Sequence, residues 1–255
     1  MGRMANLKLG AQLYTVRDAA EKDLAGLLKT VRDIGFTGVE LAGYGNLKSA
    51  EAVRKTADDA GVKVVSSHVA ADSLKTEFSK VVADQKTLGN TSVVVPWLAE
   101  ETRKSATDWI AWAERFNDYG KRLAKEGLTL SYHNHAFEFD LFDGQTGMNL
   151  LLQHADPAVV GFEVDVYWVA HGRHEPVNFL QSLGGRLRLL HLKDRATDGR
   201  FAPVGTGTLD FAAICKAGSE AGVAWGFVEQ DDCYGQDPLA VLRIGYENLK
   251  KLGYA

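Results

Sequence analysis

Eight short apolar runs recur along the chain, each followed by a longer amphipathic stretch, and this alternation constrains the fold more than any other feature. The runs are KLGAQLY (8–14), TGVEL (37–41), VKVVSSH (62–68), TSVVVPW (91–97), LTLSYHNH (128–135), VGFEVDV (160–166), LRLLHLK (187–193) and AWGFVEQ (224–230). Between them, segments such as 18–34, 46–60, 76–88 and 106–126 carry apolar residues three and four apart, the spacing that gives a helix one buried face. Gly35, Gly61, Gly89, Gly127 and Gly222 stand at helix-to-strand joints, where a left-handed residue closes a helix. Strands that read as continuous apolar runs are buried on both faces, as in a parallel sheet covered by helices. Eight such units in 255 residues predict an α/β fold, a (β/α)8 or TIM barrel spanning 1–255 as a single domain. No linker, low-complexity tract or composition shift divides the chain, and an open doubly wound sheet would want a GxGxxG after the first run, which is absent.

A composition of 45% hydrophobic and 24% charged residues suffices for the core of one such barrel. The formal net charge of −4 gives no broad attraction for nucleic acid or anionic lipid. No apolar run reaches the length of about eighteen residues that a membrane span needs, so neither nucleic acid nor membrane is expected as a partner. Two cysteines, Cys215 and Cys233, without a CxxC, predict free thiols and a reducing cytoplasm. The opening MGRMANLKLG lacks the apolar core of a secretory signal, and Asn6 stands where a myristoylation motif wants Ser or Thr.

In a barrel of this kind the active site lies at the C-terminal ends of the strands, and the polar residues fall there repeatedly. Gln12 and Tyr14 end the first run, Glu40 the second, His68 the third and Trp97 the fourth. His133-Asn134-His135, followed by Glu138, end the fifth; Asp165, with Trp168 just beyond, ends the sixth; His191, Lys193 and Asp194 end the seventh, and Glu229 the eighth. Ionisable groups are costly to bury without partners, so this ring predicts a polar site with a cation at its centre. Period-two alternation puts His133 with His135, Glu163 with Asp165, and His191 with Lys193 on shared faces.

His133, Asp165, His191 and Glu229 come from four consecutive strands. Two imidazoles and two carboxylates suit Mn²⁺, Co²⁺, Zn²⁺ or Fe²⁺ and suit calcium poorly. Taken singly, a strand-end histidine is more often a hydrogen-bonded core residue, and a lone Asp or Glu a helix cap or an arginine partner; four at matching strand ends favour a metal. Trp97 and Trp168 read equally as core and as walls of a sugar pocket, while His154, His171 and His174 read as bystanders. The stretch APVGTGTLDF (202–211) lacks the GK[ST] of a nucleotide loop; Gly205 and Gly207 instead predict a tight turn before Asp210 caps the next helix.

QLYTVRD, GFTGVEL, YHNHAFEF, DVYW and HLKD, in this order over nearly the whole chain, resemble the sugar phosphate isomerase/epimerase family of xylose isomerase-like TIM barrels. The resemblance implies a divalent metal held, in the ketose-epimerase members, by Glu, Asp, His and Glu from the last four strands. Carried over by position, Asp165, His191 and Glu229 match; the fifth-strand glutamate is replaced by His133, with His135 as the alternative ligand. Mn²⁺ is the leading ion, with Co²⁺, Zn²⁺, Fe²⁺ or Mg²⁺ as alternatives. The chemistry implied is proton removal beside the carbonyl of a sugar or keto-sugar, through a metal-stabilised enediolate. Glu229 would be ligand and base; Lys193, His135 and Glu138 would handle protons or charge; Gln12, Tyr14, Glu40, His68, Trp97 and Trp168 would surround the substrate. Rival readings are a lyase or dehydratase of an inosose or 3-keto-glycoside, a non-catalytic sugar-binding barrel, and a DNA-cleaving relative that the acidic balance opposes. The particular sugar is not legible, and pairing of copies through helix faces stays open.

Overall fold

The computed structural model describes residues 7–255, so the expectations drawn from residues 1–6 lie outside the described residues. Eight parallel strands close into a barrel in chain order. They are β1 (Lys8–Gln12), β2 (Gly38–Leu41), β3 (Lys63–His68), β4 (Ser92–Val95), β5 (Thr129–His133), β6 (Val160–Asp165), β7 (Leu187–Leu192) and β8 (Trp225–Val228). β1 pairs with both β2 and β8, which closes the ring. Helices α1 (Arg17–Ile34), α2 (Ala50–Ala60), α3 (Ala71–Thr76), α4 (Phe78–Leu88), α5 (Ala106–Lys125), α6 (Gly147–His154), α7 (Val166–His171), α8 (Pro176–Leu183), α9 (Phe211–Glu220) and α10 (Pro238–Lys251) connect the strands.

Local chemistry sets the boundaries. The Ser49 hydroxyl accepts from the Ala52 N–H, so α2 starts at Ala50 rather than at 46; the Asn46 side chain is occupied by the Leu24 N–H, 3.0 Å away. Ser105 and Asp108 form a reciprocal capping box that starts α5 at Ala106. All five predicted joint glycines have positive φ, for example 69° at Gly61, whose N–H reaches back to Ala57 and Asp58.

Several strands end earlier than their apolar runs suggest. Tyr14 lies in a 3-10 turn over Leu13–Val16, with its N–H held by the Gln12 side chain at 2.8 Å. His135, Lys193 and Glu229 likewise sit just past β5, β7 and β8, where the chain leaves the ladder to turn towards the following loop. A contiguous apolar layer fills the space between strands and helices. Inside the barrel, Val65, Val94, Leu189 and Phe227 form a separate apolar plug. Leu189 and Phe227 precede His191 and Glu229 by two residues, so period-two alternation places the plug directly beneath the polar layer. Gly10 leaves room for that plug: a Cβ there would lie 2.5 Å from the Phe227 ring.

Among the described residues no helix is long and apolar enough to cross a membrane. Both cysteines are free, Cys215 being buried.

Candidate active site

His133 comes from the last position of β5, opposite Glu163 of β6; Asp165 ends β6 and pairs across the ladder with His191 of β7. The His133 ring is oriented by a carbonyl: its Nδ1 lies 3.1 Å from the Pro96 oxygen. A carbonyl only accepts, so Nδ1 donates to it and Nε2 is the nitrogen that faces the cluster. That Nε2 is buried with no hydrogen-bond partner among the described residues, and it points towards Asp165 Oδ2 at 3.5 Å. Asp165 Oδ2 also lacks a hydrogen bond of good geometry, although Lys193 Nζ stands 2.9 Å away as an ion pair. His191 Nδ1 lies 2.8 Å from Glu229 Oε2 and 3.9 Å from Asp165 Oδ2.

One donor atom from each of His133, Asp165, His191 and Glu229 therefore falls within 4.8 Å of every other, and all four residues are buried. An ion with bonds of about 2.0–2.2 Å needs neighbouring donors about 2.8–3.4 Å apart, close to what these side chains present. Burying an imidazole nitrogen without a hydrogen-bond partner is costly, and a cation among these four side chains would meet it. The four residues fit a divalent metal, and the geometry brings His133 rather than His135 to the other three.

Second contacts hold these donors. The Asn134 side chain accepts from the Asp165 N–H at 3.0 Å, and Asp165 Oδ1 accepts from the Trp168 N–H at 3.1 Å, which leaves Oδ2 for the centre. On its far side, His191 Nε2 meets Glu40 Oε1 at 2.7 Å and Glu163 Oε2 at 3.1 Å. Carboxylates behind a ligating imidazole fix its tautomer and raise its basicity.

Charge is arranged with equal care. Burial alone would push the Asp165 and Glu229 carboxyls up, but Lys193 and the imidazoles outweigh it: Asp165 is held below, and Glu229 well below, the ordinary carboxylate range. The Lys193 ammonium, only 1% exposed, is opposed by burial yet raised well above its ordinary value by Asp165, Glu229 and Asp231. It is a fixed positive charge. Burial, His133 and Lys193 together drive His135 down to about 2, so its ring is neutral and acts through hydrogen bonds.

Above the four donors opens a cavity of about 470 Å³, whose walls include Tyr14, His68, Trp97, His135, Lys193 and Asp231. Tyr14 and Trp97 are 43% and 50% exposed and present aromatic faces at its rim. The other predicted substrate residues lie elsewhere. Gln12 and Glu40 are fully buried below the cavity floor, joined by a 2.6 Å hydrogen bond. Trp168 is half-buried behind His135, with ring centroids 5.3 Å apart. Glu138 is fully buried and accepts from the Tyr132 hydroxyl and from the His135 N–H, the latter at 2.8 Å; it braces the YHNH segment and does not line the cavity.

Two contributors escaped the sequence reading. Asp231 lines the cavity and pairs with Lys193 at 2.8 Å; its spacing of two from Glu229 was the available signal. Glu163, seen only as sharing a face with Asp165, stands behind His191. The glycine-rich stretch wraps a carboxylate of its own chain: Asp194 accepts from the N–H groups of Gly205 at 2.9 Å, Gly207 at 2.7 Å and Leu209 at 3.2 Å. Asp210 then caps α9, as its position suggested.

Comparison with known proteins agrees with this architecture. The rhizopine catabolism protein MocC of Rhizobium meliloti is 24% identical over 264 residues, covering 89% of this chain and 81% of that protein. Two sugar phosphate isomerase/epimerase crystal structures from Parabacteroides distasonis superpose with TM-scores of 0.85 and 0.82. They are 26% and 28% identical and cover 98% and 96% of this chain, and 96% and 98% of their own. The family described as xylose isomerase-like TIM barrel matches residues 28–251. A closed eight-stranded barrel matched over most of its length by that family leads to one conclusion: the chain belongs to the xylose isomerase-like TIM barrel family.

Proposed function

We propose that this protein is a metal-dependent isomerase or epimerase of a sugar or keto-sugar, acting by proton removal beside a carbonyl. The observation that carries the reading is the buried Nε2 of His133, without a hydrogen-bond partner among the described residues, converging with Asp165, His191 and Glu229 beneath a cavity open to small molecules. The likeness to two sugar phosphate isomerase/epimerase structures over nearly the full chain supports the substrate class.

His133, Asp165, His191 and Glu229 would hold the ion. A divalent cation there supplies Lewis acidity, polarising a sugar carbonyl and offsetting the charge of the enediolate. The chain's own groups supply the rest. Glu229 is held ionised beside Lys193, so it is free to accept the proton from a carbon whose acidity the cation raises. Lys193 stays protonated and stands 2.8 Å from Glu229, where it steadies negative charge developing on oxygen. The neutral His135 ring offers a hydrogen bond to a substrate hydroxyl without giving up a proton. Tyr14 and Trp97 give the C–H faces of a sugar an apolar surface. Return of the proton by Glu229 to the neighbouring carbon gives isomerisation; delivery of a solvent proton to the opposite face gives epimerisation.

The test is to incubate the Mn²⁺-loaded protein with a panel of ketoses and keto-sugars in D₂O and read deuterium incorporation by NMR. Exchange beside the carbonyl is expected, at least about 100-fold weaker in Glu229→Gln, the usual size of a lost acid–base contribution. Exchange undiminished in Glu229→Gln and Asp165→Asn would contradict the reading. Exchange accompanied by loss of water would assign the same first step to a dehydratase.

A further inference from the structure

Behind the His191 ring lies a second set of donors that the proposed reaction does not use. We propose that Glu40, His68, Glu163 and His191 form a second divalent-cation site, with the His191 imidazole bridging the two ions through its two nitrogens. This goes beyond the proposed reaction and stands without it.

The donor atoms alternate nitrogen and oxygen round a closed ring. His68 Nε2 lies 3.0 Å from Glu40 Oε1, which lies 2.7 Å from His191 Nε2; Glu163 Oε2 lies 3.1 Å from both imidazole nitrogens. Donors about 2.8–3.4 Å apart are what an ion with bonds of about 2.0–2.2 Å requires, and this ring matches that spacing more closely than the tetrad above it. Glu40, Glu163 and His191 are fully buried.

Hydrogen bonding alone leaves the ring short of protons. Each of the two ring nitrogens carries one proton at most, so two protons serve four N···O approaches. Glu40 Oε1 is in addition taken by Gln12 Nε2, and the remaining oxygens, Glu40 Oε2 and Glu163 Oε1, are buried without a partner among the described residues. Two carboxylates in a dry interior call for positive charge. A cation at the centre of the ring meets four lone pairs at once. It takes Nε2 when that nitrogen releases its proton to solvent, which leaves the ring as a bridging imidazolate. His68 lines the cavity and gives an ion its way in.

The experiment is a zinc count. The full chain is stripped with a chelator, re-equilibrated with excess Zn²⁺, passed through gel filtration and analysed by plasma mass spectrometry. Two zinc ions per chain are expected for the wild type, and one each for Glu163→Gln and Asp165→Asn. A wild-type count of one overturns the proposal whatever the variants do, and two zinc ions in Glu163→Gln overturn it by placing the second ion elsewhere. A wild-type count of none removes the upper site as well, whereas one zinc in Asp165→Asn beside two in the wild type shows the lower site filled independently. Should Glu163→Gln not fold, Glu40→Gln is counted in its place.

Discussion

At the scale of single residues, His133 shows how one neighbour prepares a ligand: the Pro96 carbonyl accepts from Nδ1 and leaves Nε2 turned, without a hydrogen bond, towards Asp165. His135, two positions on, shares its strand face but sits outside both donor clusters. Sequence alone left the two alternatives open, since the deciding contact comes from β4's end, 37 residues away. Glu138 carries a different consequence. Burial pushes its carboxyl up to about 8, against the Tyr132 hydroxyl and the His135 amide, which pull it down. A raised folded value means that the protonated form favours folding. The contribution is complete below the ordinary value of 4.5 and is lost as pH climbs from there to about 8, with a slope of at most about 1.4 kcal/mol per pH unit. Glu138→Gln therefore becomes more stable relative to the wild type across that window, as urea denaturation at several pH values would show; parallel stability curves for the two proteins would refute the assignment.

At the scale of elements, the alternating apolar runs made the strands and their order readable, and period-two spacing made His133, Asp165, His191 and Glu229 readable as strand-end neighbours. Strand ends were harder to see. Tyr14 and Lys193 look like strand continuations, but a side-chain cap on the Tyr14 N–H and the turn into a short Asp194–Arg195 ladder end the pairing earlier. The loop after β7 was legible as a turn, while its purpose was not: nothing in GTGTLDF says that its amides converge on Asp194. A Cβ on Gly207 would lie 2.4 Å from Asp194 Oδ1, so glycine is needed there for close approach. Asp194→Ala strands three loop amides, and hydrogen bonds to a charged acceptor contribute about 1.5–3 kcal/mol each. The variant is expected to lose at least about 2 kcal/mol in urea denaturation, with new proteolytic cleavage within 203–209; wild-type stability would show the loop to be held by other contacts.

At the scale of the whole molecule, closing the barrel is what assembles the site. Glu40 and His191 meet across 151 residues of chain, and the tetrad draws one residue from each of four strands or their ends. Glu40, Glu163, Asp165, Glu229 and Asp231 gather at the C-terminal end of one closed sheet, with Lys193 as the single buried lysine among them. That surplus of negative charge was foreshadowed by strand-end residues, but its depth was not, because burial is a property of the closed ring. The most direct measurement is anomalous diffraction from crystals grown with Mn²⁺. A peak within about 2.0–2.3 Å of His133 Nε2, Asp165 Oδ2, His191 Nδ1 and Glu229 Oε2 is the predicted result, and a fully Mn²⁺-soaked crystal with no peak among those four atoms would contradict it.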